Sequence, residues 1–270
     1  MKTFAPGNTE PRESTTVSKT DEIKNRSARG IQWRGAATDH EAMSREAAEL
    51  IVEEIRRQPD LLLCAASGST PTRCYELLGA KRQAEPRLFE GLRVLKLDEW
   101  NGLPMDDPAT CEAYIRRLLV GPLGIAGDRY LTFRSDPLDA QAECQRVRAL
   151  LAAQTSIDLC VLGIGVNGHL GLNEPADALE PFAHVARLAE SSRRHSMLGA
   201  AARAPEYGIT LGMAEILAAR KIVLLVSGAS KRKPLERLRV PQVSTAFPAS
   251  FLWLHDDVTC FYDREAASDS

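Results

Sequence analysis

Charge of one sign is missing from this 270-residue chain: 34 Lys and Arg stand against 36 Asp and Glu, a formal net charge of -2. With no basic excess there is no broad field for a polyanion, so nucleic acid is not an expected partner. Long hydrophobic runs are missing as well. The longest, such as Leu61 to Ala66 and Ile222-Val223-Leu224-Leu225-Val226, have the length of a strand and fall far short of the roughly 18 residues of a membrane span. The opening MKTFAPGNTEPRESTTVSK holds no apolar core of a secretory signal, which predicts a cytoplasmic address and no membrane partner. Six cysteines are scattered without a C-x-x-C pair, in a chain too long to need staples, and they read as buried or half-buried free thiols. What is present in ordinary measure is a hydrophobic fraction of 44%, enough for a packed core.

Residues 1–28 are rich in Thr, Ser, Glu, Lys and Pro, with Phe4, Val17 and Ile23 as their large apolar residues. That content is too small to offset ordering entropy, and a flexible leader is expected there. From residue 29 to 270 helical and strand periodicities alternate with no second linker and no repeat, which predicts one domain. Glu41 to Arg57 carries Ala47, Leu50, Ile51 and Ile55 at helical spacing behind Asp39 as N-cap. The apolar runs Leu61–Ala65, Leu92–Leu97, Ile157–Leu162, Ile222–Val226 and Val258–Tyr262 read as strands. Further helices are expected after Pro71, around Cys111 to Leu119, near Asp139 to Ala153, and from Gly212 to Ala218. Strands separated by helices imply an α/β fold, a single doubly wound, mostly parallel Rossmann-like sheet with helices on both faces. In such sheets ligands sit at the carboxyl ends of the strands, so the loops there are expected to converge.

Four of those loops carry chemistry. Ser67-Gly68-Ser69-Thr70 lies between a strand and a helix whose first residue is expected to be Pro71. Free backbone N–H groups and hydroxyls would share one concavity, which suits a phosphate and equally describes an ordinary capped helix. It is neither G-x-G-x-x-G nor a P-loop. Asp98-Glu99, read as a loop, offers two adjacent carboxylates beside Trp100; one neighbour can face a cleft as a general base while the other pairs elsewhere. The run from Gly163 to Pro175 brings four glycines in nine residues, with His169 and Glu174 five apart, the equipment of acid–base work. No set of metal ligands at defined spacing is apparent, and no metal or organic cofactor is expected. Lys231, after Ser227-Gly228, is expected to open a helix where its ammonium meets an anion.

Together these residues resemble the glucosamine-6-phosphate deaminase/isomerase family, whose members include 6-phosphogluconolactonases, over roughly residues 35–262. The family's phosphate turn matches Ser67-Gly68-Ser69-Thr70-Pro71, its carboxylate loop matches Leu97-Asp98-Glu99-Trp100, its histidine loop matches Val166-Asn167-Gly168-His169 and Asn173-Glu174-Pro175, and its Gly-x-x-Lys contact matches Gly228 to Lys231. The resemblance implies Asp98, His169, Glu174 and Asn167 as the catalytic set and Ser67, Gly68, Ser69, Thr70 and Lys231 as phosphate ligands. Asn167 stands where the family usually has Asp, and an amide can orient an imidazole but cannot accept its proton. Arg193, Arg194 and His195 fall near a phosphate-binding arginine of the family, and the sequence leaves the choice among the three open.

Asn167, Ile209–Gly212 and Val243–His255 are similar to the galactosamine-6-phosphate branch. The implied reaction takes galactosamine 6-phosphate, a small amino sugar phosphate, to tagatose 6-phosphate and ammonia without metal or cofactor. Glucosamine-6-phosphate deamination, a 6-phosphogluconolactonase-like hydrolysis and a sugar-phosphate sensor without catalysis remain the alternatives. Nothing in the sequence fixes an oligomeric state, and a homo-oligomer stays open.

Overall fold

The computed structural model describes Met1 and residues 30–154, 156–200 and 204–267. The expected leader, apart from Met1, lies outside the described residues.

The apolar runs form one seven-stranded sheet in the order β1-β10-β9-β6-β2-β3-β5, every pair parallel. Its strands are β1 (Ile31–Ala37), β2 (Leu62–Ala65), β3 (Arg93–Lys96), β5 (Tyr130–Leu131), β6 (Leu159–Gly163), β9 (Lys221–Val226) and β10 (Val258–Asp263). Because side chains alternate across a strand, Leu63, Ala65, Val161 and Val223 enter one core and Leu62, Cys64, Leu162 and Leu224 enter another. The first core is closed by α1 (His40–Arg57), α2 (Ser69–Ala84) and α3 (Cys111–Ile115), which runs on through a π turn over Arg116–Val120. The second is closed by α4 (Ala140–Ala152), α6 (Met213–Leu217), α7 (Arg232–Arg239) and the 3₁₀ helix Pro248–Leu254. Each fully buried leucine of these strands contributes about 1.5–3 kcal/mol. The doubly wound α/β reading therefore holds, and all six cysteines are buried free thiols.

Caps explain several helix starts. Asp39 accepts the N–H of Ala42 at 2.8 Å, and Asp139 accepts those of Gln141 and Ala142. The expected start of α2 is corrected: the helix begins at Ser69, two residues before Pro71, because a first-turn residue needs no N–H for an internal bond.

A second sheet was not expected. β4 (Asp98–Trp100), β7 (His184–Arg187) and β8 (Tyr207–Thr210) form three antiparallel strands in the order β4-β8-β7. The segment read as an acidic loop is thus a strand, with Asp98 opposite Thr210 and Trp100 opposite Gly208. Three residues are too few to show a period of two, so local pattern cannot announce such a strand. Between β2 and β6 the order of the large sheet reverses direction, and the loops leaving these neighbours part there. That crevice lies at the carboxyl ends of the strands, where all four chemistry-bearing segments emerge.

Candidate active site

Residues from those four segments line one cleft of about 170 Å³: Ser67 to Pro71 after β2, Leu97 and Asp98 after β3, Gly163 to Val166 with His169 after β6, and Lys231 after β9. Its volume suits a small polar molecule and not a dinucleotide. A broader surface groove of about 640 Å³, lined by Leu151, Ile157 and Phe182, has Arg148 stacked over Phe182 and gathers no comparable set of acid, base and anion donors.

The two carboxylates of the acidic segment separate as adjacent residues of a strand must. Glu99, wholly buried, accepts the backbone N–H groups of Trp100, Cys111 and Glu112 at 2.8–2.9 Å and the Lys96 ammonium at 2.6 Å. It thereby caps the free N–H groups that open α3 and balances a buried cation. Lys96 also meets Glu112 at 2.8 Å and the Phe133 carbonyl. Asp98 faces the cleft, is 8% exposed, and its Oδ1 has no hydrogen-bond partner among the described residues. Burial, then the neighbouring Glu99 charge, push its carboxyl up to about 7; the charges of His169 and Lys96 and the Cys111 thiol oppose them. A carboxylate with one unpartnered oxygen, lining a cleft and pushed up to about 7, is suited to accept a proton from a bound molecule.

Across the cleft, the histidine loop is held tightly. Gly165 N–H donates to the His169 carbonyl at 3.0 Å and Gly168 N–H to that of Gly165 at 2.9 Å. Gly168 sits at φ +91°, and a Cβ there would collide with the ring of Phe247. Ala249 N–H in turn donates to the Gly168 carbonyl at 2.8 Å, so the segment around Phe247 forms the floor under this loop. The 3₁₀ helix Pro248–Leu254 buries Pro248, Ala249, Ser250 and Leu252.

His169 Nδ1 lies 3.2 Å from Glu174 Oε2, which fixes the proton on Nδ1 and leaves Nε2 to the cleft. Glu174 also accepts from Asn167 Nδ2 at 2.7 Å, from Ala189 N–H at 3.3 Å and from the Ser192 hydroxyl. Burial alone would raise this carboxyl, but His169, Ser192 and Asn167 outweigh it and hold it at about 2. Neither Glu174 nor Asn167 lines the cleft: both stand behind His169. Asn167 makes no hydrogen bond to the imidazole; its amide donates to Glu174 and its Oδ1 accepts the His169 backbone N–H at 3.2 Å.

The Ser67-Gly68-Ser69-Thr70 turn forms part of the cleft wall. Gly68, N-cap of α2 at φ +126°, adopts a backbone that side chains disfavour, and the N–H groups of the first helical turn face outward from it. Lys231 lines the cleft from the 3₁₀ turn Ala229–Lys231 just before α7, a small displacement from its expected place at a helix start. Burial lowers its pKa from the ordinary value. Arg193 and Arg194 point to solvent, Arg194 pairing with Glu190, whereas His195 lines the cleft with Ser191 and Ser192. Ser191 and Ser192 were invisible in the sequence, because a run of polar residues does not disclose which members a short helix, α5 (Glu190–Arg193), turns toward the cleft. Among the described residues no three His, Cys, Asp or Glu side chains are arranged to hold a metal ion, and no helix is long and apolar enough to cross a membrane.

Comparison with known proteins agrees with this arrangement. The family described as glucosamine-6-phosphate isomerases/6-phosphogluconolactonase matches residues 38–261. The chain is 42% identical over 230 residues to AgaI of Escherichia coli (strain K12), a protein bearing a provisional deaminase name, covering 85% of this chain and 91% of that one. It is 37% identical over 232 residues to the glucosamine-6-phosphate deaminase of Bacillus pumilus (strain SAFR-032), covering 85% and 96%. The solved structure of a monomeric glucosamine-6-phosphate deaminase superposes with a TM-score of 0.82 at 33% identity, over 88% of this chain and 98% of that one. The 6-phosphogluconolactonase of Trypanosoma brucei, at 21% identity and a TM-score of 0.70, shares the fold. With the family pattern matched from the first helix to the last strand and its motifs lining one cleft, the chain belongs to the glucosamine-6-phosphate isomerase/6-phosphogluconolactonase family.

Proposed function

We propose that this protein is an amino-sugar-phosphate deaminase that converts galactosamine 6-phosphate to tagatose 6-phosphate and ammonia. The observation that carries the reading is Asp98, a buried carboxylate with an unpartnered oxygen, set in one cleft with a histidine–glutamate pair and an anion-binding turn. His169 Nε2 takes the anomeric hydroxyl proton and returns one to the ring oxygen, opening the pyranose, while Glu174 supports the charge that forms on the imidazole. Asp98 removes the proton from carbon 2 as the carbonyl oxygen at carbon 1 takes up a proton, giving an enolamine, and then delivers its proton to carbon 1 while the nitrogen gives one up, leaving an imine at carbon 2. Water adds to that imine, and the nitrogen departs as ammonia. Ser67 to Thr70 and Lys231 hold the phosphate, so remote binding energy sets carbon 2 against Asp98.

A lactonase needs no base at carbon 2, so a carboxylate kept available in the cleft favours isomerisation. The preference for the galacto sugar rests on the resemblance of Asn167, Ile209–Gly212 and Val243–His255 to that branch. The test is ammonia release from galactosamine 6-phosphate and glucosamine 6-phosphate in parallel. Faster release from the galacto sugar is expected. Faster release from the gluco sugar would keep the chemistry and reverse the preference, and saturable binding with no ammonia from either would favour a sensor.

A further inference from the structure

Lys231 is the one Lys or Arg among the described residues lining the cleft, a single positive charge for a phosphate monoester that carries nearly two. Other donors must supply the remainder, and a half-buried side chain stands at the right place. A Cβ built on Gly68 would lie 3.7 Å from His195 Nε2, so this nitrogen faces the mouth of the phosphate turn. The opposite ring nitrogen is occupied: Nδ1 accepts the Met197 N–H at 3.3 Å, which puts the proton of the neutral ring on Nε2. The ring lies against Trp100, with centroids 5.8 Å apart. A second proton on Nδ1 would oppose donor to donor at Met197. Burial, His169 and Lys231 all act in the same direction, pushing the imidazole pKa below its ordinary value.

We propose that His195 is a phosphate ligand of this cleft, donating Nε2–H as a neutral imidazole beside Lys231. This rests on the reading of the cleft as a sugar-phosphate site. Phosphate is then recognised by one cation and an array of neutral donors: the turn hydroxyls, the N–H groups opening α2, and His195. Gly68 is matched to this role. A side chain there would be strained at φ +126° and would occupy the space between the turn and the imidazole.

The pair His195→Gln and His195→Phe separates a donor from a packing ring. The Gln amide nitrogen falls close to the position of Nε2, whereas Phe keeps the ring against Trp100 and has no donor. Titration with inorganic phosphate, followed by calorimetry, is expected to show His195→Phe weakened about 10- to 100-fold, the range for losing one hydrogen bond to a charged group. His195→Gln is expected within about threefold of the parent. With amino sugar phosphate as substrate, the Phe variant's loss is expected mainly in KM. His195→Leu carries the same expectation should the Phe variant not fold.

Phosphate affinity in the Phe variant within twofold of the parent would overturn the proposal. So would a Gln variant as weak as Phe, since that requires charge and not a neutral donor, or a loss confined to kcat. Absence of ammonia release from the parent protein would instead sink the deaminase reading, and the phosphate titration would still decide the role of His195.

Discussion

The two walls of the cleft hold carboxylates in opposite electrostatic situations. Asp98, on a three-residue strand of the small sheet, is buried with one oxygen unpartnered and titrates near 7. Glu174, on the histidine loop, gathers Asn167, Ser192, Ala189 and His169 around it and stays ionised down to about 2. The difference is one of partners more than burial, since desolvation raises both. One carboxylate is left able to change protonation near neutrality, while the other is held as a charge behind an imidazole.

The sharpest way to break this contrast is Asp98→Asn. Turnover is expected to fall by at least about 10²- to 10⁴-fold, the usual contribution of a general acid–base group, measured as ammonia release. Stability is expected to move the other way. A native carboxyl near 7, against 3.8 unexposed to these effects, makes the native state bind more protons than the unfolded one between about pH 4 and 7. Stability therefore declines as pH rises through that window, by at most about 4 kcal/mol at about 1.36 kcal/mol per unit. The amide has no such decline, so the variant should be the more stable protein at pH 8 in urea unfolding, with the advantage gone by pH 4.

Glu174→Gln tests the other wall. Losing a charged partner of His169 is expected to lower turnover about 10- to 100-fold, the equivalent of about 1.5–3 kcal/mol. The acid limb of kcat/KM should remain near 7, because Asp98 sets it; a limb that moves with this substitution would join the two walls into one titrating unit. The smallest effect on turnover, tenfold or less, is expected of Gly168→Ala, which strains a φ of +91° and drives a methyl into Phe247. Its cost of about 1–3 kcal/mol should appear as a thermal midpoint lowered by about 2–10 °C.

Much of this was legible in the sequence where physics acts locally. Apolar runs such as Leu61–Ala65 and Ile222–Val226 had to be strands buried on both faces, and Asp39 had to be a cap. The convergence of Ser67–Thr70, Asp98, His169 and Lys231 followed from the geometry of parallel sheets. What stayed hidden depends on contacts far apart in the chain. β4 is a strand because Thr210, Ile209 and Gly208 pair with it, not because Asp-Glu-Trp favours extension. The division of labour between Asp98 and Glu99 was foreseeable, but its direction was set by Lys96, Cys111 and Glu112. Asn167 was expected to steady the imidazole and instead steadies Glu174. Arg193, Arg194 and His195 could not be told apart in the sequence; the fold leaves both arginines exposed and His195 lining the cleft.

The most direct test of the contrast is a side-chain carboxyl titration by carbon-13 NMR, run on the parent protein and on Asp98→Asn. One carboxyl titrating near 7 and absent from the variant, with the Glu174 signal unchanged above about pH 3, is the predicted result. A parent protein in which no carboxyl titrates above pH 5 would contradict it, and Asp98 would then be an ordinary ionised group with no tuned base on that wall.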